Sequence, residues 1–153
     1  MYLTVHAAAG AAVGQFMPNV WAAFAAGFVS HFILDMIPHG DENIQHWKFF
    51  RTKLRRTIAA ALIDFAVLLA TFCYWLTTNT VEQIPGIMYG AAGSILPDAL
   101  WGLHELTGSP LLKWYRALHS ATHRVIAKKL TILQGFAIQI PLLLALTYII
   151  VAY

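Results

Sequence analysis

Apolar residues dominate five segments of the chain, and short polar stretches separate them. A bilayer span needs roughly 20 consecutive, mostly apolar residues. Residues 58–78 and 131–153 meet this length, and residues 20–38 and 84–104 come within range although each carries an aspartate and at least one glycine. Residues 2–14 form a shorter segment of small residues, which we expect to span only partly or to pack deep against its neighbours. The pattern predicts an all-α integral membrane bundle of about five spanning or part-spanning helices.

Composition agrees with one membrane domain over residues 1–153. Hydrophobic residues make up 59% of the chain and charged residues 11%, which is typical of membrane proteins rather than soluble ones. A chain of this length leaves no room for a second domain. The single cysteine, Cys73, excludes an internal disulfide, and its apolar neighbours predict an inert packing thiol. The first residues lack the basic region of a signal peptide, so we interpret them as mature sequence.

The positive charges predict an orientation. All ten Lys and Arg residues fall in residues 40–57 and 105–129. Because Lys and Arg are enriched in cytoplasmic loops, the pattern predicts a multi-pass protein of the inner membrane with both segments and the N-terminus in the cytoplasm. Topology and contact with anionic lipid then explain the net charge of +3. Membrane lipid is therefore an expected partner, nucleic acid is not, and a homo-oligomer is left open.

The second basic segment also predicts a helix. Ser109 followed by Pro110 is a favourable helix start. The residues over about 110–127 suit an amphipathic helix on the cytoplasmic surface, where Trp114 and Tyr115 are expected to act as interface anchors.

Ionisable side chains gather at the helix ends that the charge pattern assigns to the cytoplasm. Ionisable groups inside apolar segments are costly, so each is a functional-site hypothesis. The orientation is inferred from Lys and Arg alone, yet it brings all of these groups to one side. The candidate ligands are His6, His31, Asp35, His39, Asp98, His119 and His123.

The spacing of these residues favours a metal site. His31 and Asp35 stand at positions i and i+4, as do His119 and His123, so each pair shares one helix face. Imidazole and carboxylate groups bind zinc, manganese and iron. Seven ligands exceed the need of one tetrahedral ion. We therefore expect one or two zinc ions, with manganese or iron as alternatives, and the two-metal site, bridged by Asp35 or Asp98, as the better match.

A site of this kind supports hydrolysis of a phosphoester. Two metal ions about 3.5–4 Å apart can activate a water molecule and stabilise an in-line displacement at phosphorus. Asp35 and Asp98 are the candidate catalytic residues, and Arg116 and Arg124 are candidates for binding the substrate phosphate by a forked contact. A lipid headgroup would reach this depth without leaving the membrane, so a phospholipid at the cytoplasmic face is the expected substrate.

Other interpretations use the same residues. The main alternative is a metal-ion or proton-coupled transporter, which needs polar groups that continue to the outer face, where the helices offer little beyond Thr71 and Gln139. A third interpretation is a metal-free hydrogen-bonded network that holds the helices together. His46 is expected to be solvated or at the lipid headgroups. Three further roles stay open: those of Asp64, His104 and Glu105.

Three motifs resemble a known family. His6-Ala-Ala-Ala-Gly10, Gly27-Phe-Val-Ser-His-Phe-Ile-Leu-Asp-Met-Ile-Pro-His39 and Gly93-Ser-Ile-Leu-Pro-Asp98 are similar to motifs of the small bacterial and archaeal proteins described as membrane-bound metal-dependent hydrolases. This likeness extends over most of the chain. The step from His31 to Asp35, followed by Pro38-His39, also resembles a short part of the zinc-dependent phospholipase C pattern.

The resemblance implies a metal-dependent hydrolase of a phosphoester. Five residues match the motif by position: His6, His31, Asp35, His39 and Asp98. The late histidine pair departs from the family. It reads His119-Ser-Ala-Thr-His123, whereas the family carries a run of the type His-Arg-Gly-x-Thr-His-Ser.

Overall fold

The computed structural model describes residues 1–40, 52–80, 82–126 and 130–153, and all regular structure in these ranges is helical. The described part contains a 3₁₀ turn over Pro110–Leu112 and six α-helices: α1 (Leu3–Gly14), α2 (Val20–Asp35), α3 (Lys53–Thr78), α4 (Ile84–Thr107), α5 (Lys113–Thr122) and α6 (Ile132–Ala152). The all-α class predicted from the sequence is confirmed. The positions of His46, Lys48, Arg51, Lys128 and Lys129 lie outside the described residues.

The second and third helices differ in their ends from the predicted bounds. α2 ends at Asp35 rather than near Pro38, because proline lacks an N–H and disfavours a helical conformation in the residue before it. α3 begins at Lys53 rather than at Ile58. There the hydroxyl of Thr52 accepts a hydrogen bond of 3.3 Å from a backbone N–H of the first turn, which caps the helix.

The fourth and fifth helices differ as well. α4 continues to Thr107 and ends where Gly108 adopts a φ of 62°, the left-handed conformation that glycine allows. The surface helix expected over 110–127 is confined to the 3₁₀ turn and α5. At its end the hydroxyl of Thr122 donates a 2.6 Å hydrogen bond to the carbonyl oxygen of His119, and such a bond competes with continued helix.

The short first helix lies at the centre of the molecule. α1 contacts α2, α3, α4 and α6, and Val13 is its one exposed residue. α3 and α6 contact α1 more extensively than they contact each other. The segment of small residues therefore packs deep between its neighbours, one of the two arrangements expected for it.

Glycines bring the backbones of α1, α2 and α4 into direct contact. A Cβ atom at Gly90 would overlap the carbonyl oxygen of Gly10, and a Cβ atom at Gly27 would overlap the carbonyl oxygen of Gly90. A Cβ atom at Gly93 would likewise overlap the carbonyl oxygen of Phe24. Small residues of this kind are the usual means by which apolar helices approach closely in membranes.

Two helices, over Ile58–Thr78 and Ile132–Ala152, are long and apolar enough to cross a membrane. Only 17% of the most apolar 18-residue window of each is buried, and large side chains such as Leu62 and Leu144 are exposed. Cys73 is also exposed, rather than packed inside as its apolar neighbours predicted. Extensive exposed apolar surface marks contact with a membrane or another protein.

The glycine contacts generate a stability prediction. Gly90→Ala should lower the free energy of unfolding by about 1–3 kcal/mol, because the added methyl group must displace the backbone of α1. Gly102→Ala on the same helix is the matched control, since nothing lies within 4 Å of the position of its added Cβ atom; it should be neutral or stabilising by up to about 1 kcal/mol. Thermal unfolding of the detergent-solubilised protein, followed by circular dichroism, measures both. Equal melting temperatures for the two variants would contradict the proposed backbone contact.

Candidate metal centre

The structure brings all seven predicted ligands into one cluster. They come from α1, α2, the residues after α2, α4, and α5 with the residue that follows it. They form three overlapping groups in which one ligand atom from each residue lies within 4.8 Å of the others: His6, His31 and Asp98; His31, Asp35 and His119; and Asp35, His39 and His123. The buried groups can therefore hold a metal ion, and Asp35 is common to two of them.

The carboxylate of Asp35 stands at the centre of the cluster. Its Oδ1 atom lies 3.0 Å from Nε2 of His6. Its Oδ2 atom lies 3.0 Å from Nε2 of His31, 3.4 Å from Nε2 of His119 and 3.1 Å from Nε2 of His123. The side chains of Asp35, His6 and His31 are completely buried. A buried carboxylate is costly unless positive charge or hydrogen-bond donors compensate it, so this site requires a proton or a metal ion among these nitrogens.

Backbone carbonyl groups orient two of the imidazole rings. Nδ1 of His31 lies 2.8 Å from the carbonyl oxygen of Ser94, and Nδ1 of His39 lies 2.7 Å from the carbonyl oxygen of Ile37. A carbonyl oxygen only accepts, so Nδ1 carries the proton in both rings and Nε2 of the neutral ring carries a lone pair. Histidines that bind metals usually donate their other ring N–H in this way. Both rings are therefore in the tautomer that can coordinate a metal through Nε2.

The lone pair on Nε2 of His31 faces other possible acceptor atoms inside the cluster. Nε2 of His31 lies 3.1 Å from Nε2 of His119 as well as 3.0 Å from Oδ2 of Asp35. Within the described residues, Oδ2 of Asp35 and both ring nitrogens of His6 are buried without a hydrogen bond of acceptable geometry. Facing acceptors repel each other unless a cation, either a proton or a metal ion, lies between them. The donor set therefore fits a divalent metal.

The cluster is more accessible on one side. Oδ1 of Asp98 lies 3.3 Å from Nε2 of His119 and 3.9 Å from Nε2 of His31. The side chain of Asp98 is 29% exposed and that of His123 is 23% exposed, whereas that of Asp35 is fully buried. Asp98 and His123 therefore form the edge of the cluster that is partly exposed.

The predicted phosphate-binding arginines lie at the periphery. Nε of Arg116 donates a 2.6 Å hydrogen bond to Glu105, and both side chains are exposed. This hydrogen bond holds the pKa of Glu105 below its usual range, and it competes with the predicted phosphate contact of Arg116. Arg124 is exposed next to His123. His104 is outside the three groups, and its Nδ1 lies 2.9 Å from the carbonyl oxygen of Ser109.

Asp64, whose role the sequence left open, caps the central helix. Its carboxylate accepts hydrogen bonds from the backbone N–H groups of Leu3 at 2.6 Å and Thr4 at 3.2 Å. It also accepts a 2.6 Å bond from the hydroxyl of Thr4. A carboxylate at a helix N-terminus satisfies free N–H groups and interacts favourably with the helix dipole. Asp64 thereby positions the start of α1, the helix that carries His6.

Gln139 lies beside the cluster, although its place in the sequence predicted a position in the outer half of its helix. Its Nε2 donates a 2.8 Å hydrogen bond to the carbonyl oxygen of His39, and its Oε1 accepts a 2.8 Å bond from the backbone N–H of Tyr2. The reason is that Gln139 lies in the first half of α6, where the residues after α2 pack against it. Gln139 thus holds one metal-ligand candidate in place.

Tyr115 is buried, contrary to its expected role as an interface anchor. It is 4% exposed, whereas its neighbour Trp114 is 68% exposed. The ring of Tyr115 stacks on His119 with centroids 6.2 Å apart, since the two residues are four apart on α5 and share one face. Burial, and then the negative charge of Asp98, raises the pKa of the Tyr115 hydroxyl. The i, i+4 spacing to His119 is the sequence signal that would have indicated this position.

The chain matches no protein-family model, and no curated protein or solved structure is significantly similar to it. The likeness to membrane-bound metal-dependent hydrolases is therefore a likeness of short motifs. What can be said of the chemistry rests on the geometry of the cluster.

Metal content tests the cluster directly. Protein purified without chelators or a metal-affinity column should contain about one or two equivalents of a divalent transition metal per chain, because up to seven ligands converge. The double variant His31→Ala/Asp35→Ala should lose this metal, since each of the three groups contains at least one of the two residues. His104→Ala is the matched control and should retain it. Metal content would be measured by plasma mass spectrometry. Equal content in the double variant and the control would contradict the prediction of a metal centre at this cluster.

Proposed function

We propose that this protein is a membrane-embedded, metal-dependent hydrolase that cleaves a phosphoester, such as that of a phospholipid, at the cytoplasmic face of the membrane. One observation carries the proposal: imidazole nitrogens of His6, His31 and His123 converge on the carboxylate of Asp35. Of these, Nε2 of His31 faces the carboxylate with a lone pair, because Nδ1 of the same ring donates to the backbone of Ser94. A purely structural network would be expected to satisfy its own hydrogen bonds. This cluster leaves Oδ2 of Asp35 and the ring of His6 unsatisfied among the described residues.

The proposed membrane location rests on α3 and α6. Both are long and apolar enough to span a bilayer, and both present large apolar side chains outward. In the proposed multi-pass topology α1, α2 and α4 lie within or partly within the membrane. Support comes from the cluster, which joins the start of α1, the end of α2 and the later half of α4. These are the helix ends that the positive charges assign to the cytoplasm.

The proposed metal ligands have distinct positions. His31, Asp35 and His119 form one group and Asp35, His39 and His123 form another, so Asp35 is the candidate bridging ligand of a two-metal site. The first group adjoins His6 and Asp98, which complete the set. Bound zinc, manganese or iron would supply activation of water and electrostatic stabilisation of the phosphoryl oxygens.

We assign proton transfer and phosphate binding to side chains at the exposed edge of the cluster. Asp98 lies 3.3 Å from His119 and is partly exposed, so it is placed to hold or transfer a proton beside an entering substrate. Arg124 follows His123 and is exposed, which suits a charge-assisted contact with a phosphate. The buried ring of Tyr115 packs behind His119 and limits its movement.

The geometry favours this function over transport. The helices beyond the cluster are in backbone contact at Gly10, Gly27 and Gly90, which leaves no room for an ion path between them. Next to these contacts lies an apolar core that includes Ala8, Ala91 and other buried hydrophobic residues. A site closed on one side and accessible on the other suits an enzyme that admits substrate from a single face.

Hydrolysis of phospholipid in nanodiscs tests the function. The metal-loaded protein should release a phosphate-containing product from an anionic phospholipid, detected by ³¹P NMR, and added metal should restore activity after treatment with a chelator. Asp98→Asn should reduce kcat about 10²-fold or more, because it removes a group that can transfer a proton at the edge of the site. The six other candidate ligands should still hold metal in this variant. His104→Ala should leave the rate unchanged.

Two outcomes would contradict the proposal. One is a metal-loaded protein that cleaves neither phospholipids nor a small soluble phosphodiester. The other is an activity that is equal in the wild-type protein and in the His31→Ala/Asp35→Ala variant, since that activity would not depend on the cluster.

The proposed topology has its own test. In a Cys73→Ser background, Asn79→Cys at the end of α3 should react with a membrane-impermeant maleimide in intact cells, because the topology places it outside. Arg124→Cys should react only after lysis. Labelling of both positions in intact cells, or of neither, would show that the orientation is wrong.

A further inference from the structure

A groove of about 180 Å³ lies between α1, α3 and α6. Its walls are formed largely by apolar side chains, among them Val5, Ile63, Val67, Phe136 and Leu143. The groove lies between the two helices that can cross a membrane. None of the seven candidate metal ligands is among the described residues that line it.

The polar side chains that line the groove are engaged with the protein itself. The carboxylate of Asp64 accepts bonds from the N-terminus of α1 and from the hydroxyl of Thr4. The amide of Gln139 bonds to the backbone of Tyr2 and His39. Each of these side chains therefore already has partners within the protein, and the groove presents hydrocarbon walls to its contents.

We propose that this groove binds one acyl chain of a membrane lipid. Apolar cavities do not hold water well, and an empty groove would forfeit dispersion contacts along its walls. The groove is flanked by outward-facing apolar side chains such as Leu62 and Ile140, which are the surfaces that acyl chains would cover. A polar ligand would gain no hydrogen bond from such walls, whereas a hydrocarbon chain matches them.

A basic residue lies about one helical turn before the groove residue Ala60 on α3. Arg56 precedes Ala60 by four residues and Ile63 by seven, so all three share one face of α3. The same face continues to Val67 further along the groove. An acyl chain against Ala60 and Val67 would therefore have its headgroup near Arg56, which favours an anionic phospholipid.

The groove adjoins the metal cluster through shared residues. Gln139 lines the groove and also bonds to the backbone of His39, a candidate ligand. The inference thus rests on the proposed function for its membrane setting, and it specifies a lipid with a long acyl chain as the substrate class. Lipid binding and hydrolysis are nevertheless separate measurements, because none of the seven candidate ligands is among the described residues that line the groove.

Lipid retention in native mass spectrometry tests the groove. Delipidated protein in detergent would be titrated with phosphatidylglycerol, and one molecule should remain bound per chain. Ala60→Phe places a ring in the groove and should lower this occupancy about tenfold, which corresponds to about 1.4 kcal/mol. Ala66→Phe is the matched control, since Ala66 is exposed on the same helix and does not line the groove; it should retain the lipid.

A second pair of variants distinguishes loss of lipid binding from misfolding. Ile140→Trp alters the rim of the groove, and Leu144→Trp lies on the same helix outside it. The first should lose lipid and the second should not, with circular dichroism and metal content unchanged in both. Equal retention in Ala60→Phe, Ile140→Trp and their controls would overturn the proposal, as would equal loss in all four.

The outcome is also separable from the metal hypothesis. The His31→Ala/Asp35→Ala variant should keep the bound phosphatidylglycerol, because neither residue lines the groove. Lipid retained by a wild-type protein that contains no metal and cleaves no phosphodiester would support the groove and reject the hydrolase. Metal bound and phosphodiester cleaved, but no lipid retained, would reject the groove alone.

Discussion

The buried carboxylate of Asp35 constrains how several helices pack, because a charge removed from water requires a compensating charge or hydrogen-bond donors. The imidazole nitrogens that face it come from α1, from α2 itself and from α5 with its following residue. These elements are far apart in the chain, so the cluster is a long-range constraint on the fold. α5 carries His119 and His123 to this point, and the rest of that short helix is largely exposed.

Two interactions hold α1 in the position that brings His6 to Asp35. Along one side, glycine contacts bring its backbone against α4, where Gly10 meets Gly90. At its start, the carboxylate of Asp64 on α3 accepts the free N–H groups of Leu3 and Thr4. The glycine contacts determine the distance between α1 and α4. The hydrogen bonds to Asp64 determine the position of α1 along its own axis. Together they place His6 beside Asp35, although α1 is too short to span a bilayer alone.

Local spacing and charge predicted much of this arrangement. The i, i+4 relation of His31 and Asp35 and the distribution of Lys and Arg place the ligand candidates on one side, and the structure brings them together. Contacts between residues distant in the chain could not be predicted from such patterns. The direction of the Tyr115 ring, the bond from Gln139 to the backbone of His39, and the cap by Asp64 all depend on how helices pack. Spacing reports which face a side chain occupies, but not which helix covers that face.

The orienting partners of His31 and His39 are main-chain oxygens of Ser94 and Ile37. Main-chain groups are common to all residues, so the identity of the side chain at these two positions has no direct effect on the tautomer of either imidazole. At Ser94 the side chain must nevertheless be small, because the residue is fully buried and its Cβ atom lies 2.6 Å from the position of a Cβ atom at Gly10. The tautomers of His31 and His39 therefore depend on the path of the backbone rather than on the chemistry of the neighbouring side chains.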